Sequence, residues 1–431
     1  MKIFGPRGSP SIQAPAMKHI NQLSLLALVM EHGPISRTGL AQLSQLSKPT
    51  VSAQIETLIH RGLVVETGAG LSGKRGGKKP TQLEFNANYG CLGAVEIDPL
   101  EIRLAITDLK GSVIAQTQLE TEAREGARSV LERLTHGLRD LLQRSGRAER
   151  LRQIAVAAPG LVDVRHGVVL QAGNIFNWEN VPIADFLSAA FRTPALVDND
   201  LNLAALAEMN YGAAQGVEDF VLVCHHTGIG CGVVMGGQIH RGANWAAGEI
   251  AHLLLDLDKA GENWNPRGYL ELQVSADRIA EKIHQKPALR KAVARFNNGK
   301  GDLPALIGAC KHGDAAACEV VQDVLVHLAV AIAHVAATYD PPLIVLKGEI
   351  FPPFLHDVER IVTGIIPWHP RLVESALGKD AALRGAVVAA RTEALEAIAR
   401  ALRHDASHTD HTKGAERAVD ELPGSWPHIA A

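Results

Sequence analysis

Ser47-Lys48-Pro49-Thr50-Val51-Ser52-Ala53-Gln54-Ile55-Glu56-Thr57-Leu58-Ile59-His60, residues 47–60, reads as a turn residue followed by one helix. Pro49 stands near the first helical position, where its missing N–H costs nothing, and Val51, Ile55, Leu58 and Ile59 make an i, i+4, i+7, i+8 apolar face. Gly62 ends the helix. Upstream, residues 19–32 are dense in apolar side chains and stop at Gly33-Pro34, and Ser36 is a good N-cap for a second helix carrying Leu40, Ala41 and Leu43. Downstream, residues 63–67 and 82–85 read as two strands around a loop rich in glycine and cations, Ser72-Gly73-Lys74-Arg75-Gly76-Gly77-Lys78-Lys79.

Helix, helix, turn, helix and hairpin is the order of a winged helix-turn-helix, here spanning residues 17–88. In such a module the third helix enters the major groove and the wing follows phosphates or the adjacent minor groove. Thr50, Ser52 and Gln54 are expected toward base edges, and Arg37, Lys48, Lys74, Arg75, Lys78 and Lys79 toward phosphate. A run of cations alone more often marks a solvated loop. At the wing position of a fitting pattern it points to double-stranded DNA. Charge is divided in the same sense: residues 1–85 hold ten Lys/Arg against four Asp/Glu, and the rest 33 against 42.

The 431 residues, 46% apolar and 21% charged, are globular material for two or three domains. No stretch approaches the ~20 uninterrupted apolar residues of a membrane span, and the first residues lack the apolar core of a secretory signal. A cytoplasmic protein with no membrane partner is expected. Residues 1–16, with Pro6, Gly8, Pro10 and Pro15, read as a flexible arm, and residues 401–431, with four of the nineteen histidines, as a polar tail. Cys91, Cys224, Cys231, Cys310 and Cys318 form no CxxC pair and are expected as reduced, structural thiols.

From residue 91 the pattern is α/β. Residues 92–97, 102–108 and 113–117 read as three consecutive strands, followed by a helix near 126–144 and a strand at 154–158. A strand at 194–197, a helix at 201–211, strands at 219–224 and 232–235, a helix at 320–339 and a strand at 343–346 complete the alternation. The body divides into a first lobe, 89–200, and a second, 201–400, whose last helices can return to the first.

The chain resembles the ROK family (repressors, open reading frames and sugar kinases), specifically its transcriptional-regulator branch, over about residues 17–400. The resemblance rests on Pro34-Ile35-Ser36-Arg37-Thr38-Gly39-Leu40-Ala41, Ser47-Lys48-Pro49-Thr50-Val51-Ser52 and Ala158-Pro159-Gly160-Leu161-Val162-Asp163. It rests equally on Asn174 with Trp178, Asp198-Asn199-Asp200-Leu201-Asn202, His226-Thr227-Gly228-Ile229-Gly230-Cys231-Gly232 and Gly248-Glu249-Ile250-Ala251-His252. It implies two actin-like (ribonuclease H-like) lobes, a sugar cleft between them, and a homodimer or tetramer. Sugar contacts are implied for Asn174, Asn199, Asp200, Glu249, His252 and Glu271. A sugar ring alternates donors and acceptors, so carboxylates and amides in bidentate reach suit it. Each also has a plainer reading: Asp200 as an N-cap, His252 as a core histidine, Glu271 as a surface acid.

Two departures matter. Sugar kinases of the family use Asp-x-Gly-x-Thr on the first hairpin, where this chain has Glu96-Ile97-Asp98-Pro99-Leu100. Asp98 puts negative charge where phosphates would lie, Pro99 removes an N–H, and Leu100 replaces the threonine. A late Gly-Gly reads Lys347-Gly348. ATP is therefore not expected as a cofactor, and Asp200, the base in such kinases, is expected only to bind a hydroxyl. Family members also commonly hold zinc through a histidine matching His252 and three cysteines shortly before Glu271. Residues 261–269, Gly-Glu-Asn-Trp-Asn-Pro-Arg-Gly-Tyr, contain no cysteine, so no metal site is expected.

The sequence thus reads as a DNA-binding repressor of carbohydrate genes set by a sugar effector, without enzymatic activity. Two alternatives stay open: an ATP-dependent sugar kinase with an added DNA-binding module, and a regulator answering to a protein partner.

Overall fold

The computed structural model describes residues 14–69, 80–99, 101–121, 126–173, 175, 177–297, 299 and 301–404. Among them, residues 14–91, 108–112 and 391–404 form one compact unit and residues 92–107 and 113–390 another. The cationic loop with Lys74, Arg75, Lys78 and Lys79 lies outside the described residues, as do Leu100, Asn174 and the tail from 405.

The first unit contains α1 (Ala14–His32), β1 (Ile35–Ser36), α2 (Arg37–Ser44), α3 (Lys48–His60), β2 (Val64–Ala69) and β3 (Thr81–Phe85). Helix α1 begins at Ala14, inside the segment expected to be a flexible arm. Ser36 Oγ accepts the Gly39 N–H at 3.1 Å and Ser47 Oγ the Thr50 N–H at 3.2 Å, so each serine satisfies a donor its helix leaves unpaired. Leu25, Leu26, Val29, Leu40, Val51, Ile55, Leu58, Leu83 and Phe85 are all buried and join the three helices to the sheet. That sheet has a third strand the sequence did not show: β1 pairs antiparallel with β3, Ile35 opposite Leu83. Two residues are too few to display an alternation.

The body opens with β4 (Cys91–Ile97), β5 (Glu101–Asp108), β6 (Val113–Glu120), α4 (Ala127–Arg144) and β7 (Leu151–Ala158). Then come β8 (Leu161–Asp163), β9 (Val168–Gln171), β10 (Glu179–Val181), α5 (Ile183–Phe191), β11 (Ala195–Asn199) and α6 (Asp200–Tyr211). The second half runs β12 (Phe220–His225), β13 (Ile229–Met235), β14 (Gln238–Ile239), α7 (Glu271–Val274), α8 (Ala276–Gln285), α9 (Pro287–Ala294), α10 (Asp302–Lys311) and α11 (Ala315–Tyr339). It ends with β15 (Leu343–Lys347), α12 (Phe351–Ile365), β16 (Arg371–Glu374) and α13 (Ala381–His404), which continues past the expected tail boundary at 401.

Two five-stranded sheets result, ordered β11-β7-β4-β5-β6 and β14-β13-β12-β15-β16. Counted along its own strands, each reads third, second, first, fourth, fifth, so the body contains one topology twice, the two-lobed actin-like arrangement. In the second sheet β12, β13 and β14 pair antiparallel, while β15 returns parallel beside β12 and β16 parallel beside β15. Covered parallel strands lose the alternation of a half-exposed sheet, and all six residues of β12 are buried. A small sheet, β10-β9-β8, follows β7. Helix α11 is long and apolar enough to cross a membrane by length and composition; here Val324, Leu328 and Ile332 are buried in the core of the second lobe.

One expectation about cysteine fails. Cys91, Cys224 and Cys231 are free and buried, but Cys310 and Cys318 form a disulfide across the turn between α10 and α11. They lie eight residues apart, and only the α10–α11 turn brings them together.

Candidate functional site

On α3 the side chains expected at DNA divide into three groups. Lys48 is exposed, and Thr50 and Ser52 are half-exposed. Thr50 Oγ1 shares a 2.7 Å hydrogen bond with the capping Ser47 hydroxyl, which fixes its rotamer at the start of the helix. Gln54 is the correction: it is 9% exposed, and its Oε1 is buried without a partner, so it cannot reach a base edge. Position 54 lies three residues after Val51 and four before Leu58, on the stripe that packs inward. Arg37 also differs from expectation. Its guanidinium binds Glu56 of α3 at 2.6 Å and Glu66 of β2 at 2.9 Å, so it is a brace between recognition helix and wing strand and its charge is already answered by two carboxylates.

The body carries a cleft of about 300 Å³. Its floor is made where strand ends of both sheets converge: Glu96 in β4 with Asp98 beyond it, Pro159-Gly160 after β7, Asn199-Asp200 at the β11–α6 junction, His226 to Gly228 after β12, and Lys347 at the end of β15. The carboxyl ends of strands are where open α/β sheets leave a crevice. Asn199, Asp200, Glu249, His252 and Glu271 all line this one cleft.

Their roles differ in detail. Asn199 is the N-cap of α6: its Oδ1 accepts the N–H groups of Leu201 at 2.9 Å and Asn202 at 3.2 Å, and its Nδ2 donates to Gly160 O at 2.9 Å. One N–H remains for a ligand. Asp198 behind it is buried and receives Arg241 at 2.6 and 3.0 Å together with Asn202 Nδ2 at 3.1 Å, which holds the β11–α6 junction rigid. Among the described residues Asp200 receives the Leu201 N–H alone, at 2.9 Å, which leaves carboxylate lone pairs for a hydroxyl. Glu249 and His252 bracket a single turn of 3-10 helix, and both stand open to solvent at the cleft wall. Glu271 begins α7 and accepts from Arg267 Nε at 2.9 Å.

Two glycines make these approaches possible. A Cβ on Gly228 would sit 2.6 Å from Glu271 Oε2, and one on Gly248, at φ +93°, would sit 2.0 Å from Cys231 O.

Sequence reading missed the charge cluster on the floor. Burial pushes the Asp200 carboxyl up to about 7, with the Lys347 ammonium opposing and the Asp98 and Glu249 carboxylates adding. Burial likewise pushes Glu96 to about 7, against the pull of Arg103 and Lys347. Lys347 is held above its ordinary value chiefly by Cys224, whose sulfur lies 3.6 Å from Nζ, and by Asp200 and Glu96. Although its residue is exposed at the cleft wall, the Glu249 carboxyl is raised by the protein packed around it and by the Glu271 carboxylate. Residues 96, 224 and 347 come from three strand ends and residue 200 from the start of α6, so no local spacing connects them.

The 261–269 segment offers no soft donors. Trp264 donates to Lys259 O at 3.1 Å and packs edge-on against Tyr269, ring centroids 5.1 Å apart, while Glu262 pairs with Lys259 at 2.7 Å. Among the described residues no group of three or more His, Cys, Asp or Glu is arranged to hold a metal. Of the histidine and three cysteines that would hold a tetrahedral zinc here, only His252 is present, so this donor set does not fit the metal.

Two family models match the chain: MarR family over residues 19–66 and ROK family over residues 92–393. The chain is similar to the xylose repressor of Bacillus spizizenii, 27% identical over 380 residues that cover 86% of this chain and 94% of that protein. A crystal structure of a ROK family transcriptional regulator, a homolog of the E. coli MLC protein, superposes with a TM-score of 0.70 at 25% identity, over 90% of this chain and 99% of that one. The ROK hexokinase from Thermus thermophilus superposes with a TM-score of 0.57 at 26% identity, over 71% of this chain and 99% of that enzyme. Matched over most of its length by the family model, the chain belongs to the ROK family.

Proposed function

We propose that this chain is a sequence-specific DNA-binding transcriptional regulator, a repressor of carbohydrate uptake or catabolism genes, whose operator affinity is set by a sugar or sugar derivative in the cleft. The observation that carries the reading is the pairing, in one chain, of a winged helix-turn-helix with an exposed Lys48, Thr50 and Ser52 surface and a ROK body whose cleft gathers Asp200, Glu249, His252 and Glu271. Ligand held between the two sheets favours one interlobe angle; in a homodimer or tetramer this changes the separation of the two recognition helices. Couplings of this kind are typically about 1–3 kcal/mol. The protein works in the cytoplasm on double-stranded operator DNA.

No phosphoryl transfer is assigned to it. Lys347 supplies the floor carboxylates with an internal counter-ion, Asp98 and Pro99 stand where a kinase needs phosphate-binding backbone, and the 261–269 loop lacks the cysteines that zinc would need. The second reading is a sugar kinase, favoured by the hexokinase fold and by an Asp200 poised near neutrality, where a general base works best. A coupled ADP-release assay over a sugar panel separates the two: no turnover is expected, and sugar-dependent ADP release would establish the kinase. The primary reading is tested by thermal unfolding against monosaccharides, amino sugars and sugar phosphates, because a native-state ligand raises the midpoint by mass action. A flat panel would favour control by a protein partner.

A further inference from the structure

Trp245 is the one Phe, Tyr or Trp side chain lining the cleft among the described residues, and its backbone is in the left-handed region at φ +61°. A bulky L-residue there is strained, whereas glycine adopts the conformation freely. The loop already bends at Gly242 (φ +71°) and Gly248 (φ +93°), so the backbone is shaped for glycine at 245 while an indole is what it carries. Strain of this kind is retained where the side chain serves a ligand. The ring is half-exposed, and it faces a second element: the Arg165 guanidinium, from the hairpin between β8 and β9 of the first lobe, lies 5.9 Å from its centroid. The loop after β14 that carries Trp245 belongs to the second lobe, so the indole lines the cleft where an element of the first lobe reaches it.

We propose that Trp245 is a specificity-determining platform: its free face stacks on the carbon-bound hydrogens of a pyranose or furanose ring whose hydroxyls are taken by Asp200, Glu249, His252 and Glu271, while Arg165 holds the other face. The proposal rests on the sugar-cleft reading above. A sugar ring has two polar edges and apolar faces, and the carboxylates serve only the edges. An aromatic surface supplies the face and selects against rings whose axial hydroxyls would point into it.

The test uses the full-length protein and its Trp245→Gly and Trp245→Phe variants, with D-xylose, D-glucose, D-galactose and N-acetyl-D-glucosamine as probes, read by thermal midpoint and tryptophan emission. Without sugar, Trp245→Gly is expected to melt with the wild type or up to about 4 °C higher, because the left-handed backbone is relieved. A sugar that raises the wild-type midpoint is expected to shift its emission. Its affinity for Trp245→Gly should fall about tenfold, the order for uncovering one face of an indole. Trp245→Phe should keep most of the affinity and lose the emission change. A ligand-free Trp245→Gly melting well below wild type would make the ring a packing element and overturn the proposal, as would unchanged affinity. If no sugar shifts the wild type, the cleft reading itself falls and the platform with it.

Discussion

The exposed face of α3 and the floor of the cleft both present ions to a ligand, under opposite conditions. Lys48, Thr50 and Ser52 stand at the surface of one helix, set by the register of Val51, Ile55 and Leu58 beneath them. Glu96 and Lys347 come from strands of the two sheets and Asp200 from the start of α6, and all three are withdrawn from bulk water. Surface charges meet phosphate through counterion release and answer to salt. Carboxylates withdrawn from water are pushed by that burial toward the neutral range, against the pull of the nearby cation, and answer to pH. A regulator with both has two inputs that can be varied independently in solution.

The largest expected effect separates the regions by mutation. Asp200→Ala removes an acceptor with a single internal partner and is expected to weaken the sugar about 100-fold or more, because a bound hydroxyl is left unpaired in the site; ligand-free DNA affinity, measured by anisotropy, should stay within about twofold. Equal loss of both activities would merge the regions. Lys48→Glu is the converse. Operator affinity should fall about 10- to 30-fold at low salt with a shallower salt slope, while the sugar-induced rise in midpoint is unchanged.

A smaller effect distinguishes the two by pH. Asp200 and Glu96 have folded values near 7, above their unfolded ones. Each holds its proton more tightly in the native state, so the stability they contribute is full below about pH 4 and is lost as pH rises through about 7. Ligand-free midpoints should therefore decline over that window in this component. Sugar affinity should move the other way, rising up to about tenfold from pH 6 to pH 8 as Asp200 ionises into a double acceptor. Titration calorimetry of Asp200→Asn should show that rise flattened; an undiminished rise would remove Asp200 from the account. The smallest effect concerns Gln54. Gln54→Leu removes a buried, unpartnered Oε1 and is expected to be neutral or to stabilise by up to about 1 kcal/mol, with DNA affinity unchanged; a clear loss of affinity would return Gln54 to the DNA surface.

The same contrast governs what could be read from sequence. The N-terminal module was legible because its rules are local: Ser36 and Ser47 cap, Gly33-Pro34 and Gly62 stop, and the apolar spacing gives the faces. Gln54 was misplaced by weighing its polarity over its register, and Arg37 because Glu56 and Glu66 lie 19 and 29 residues away. In the body, the long strands and α11 were legible as apolar runs, whereas β8, β10 and β14, of two or three residues each, carry too little pattern, as does β1 in the N-terminal module. The duplicated sheet order is a property of pairing between distant strands, and no stretch of sequence displays it. Asp200, Glu249, His252 and Glu271 were found through the family motifs; Lys347 was seen there only as a lost glycine, since its meaning depends on Cys224, Asp200 and Glu96 brought to it by the fold.

The central claim is that occupancy of the cleft sets grip on DNA. The direct measurement is anisotropy of the wild-type protein on DNA from its own genomic neighbourhood, at fixed salt, with and without the sugar that most raises its thermal midpoint. A change in DNA affinity of about fivefold or more, absent in Asp200→Ala, is the expected result. A sugar that stabilises the protein yet leaves its DNA affinity unchanged would contradict it.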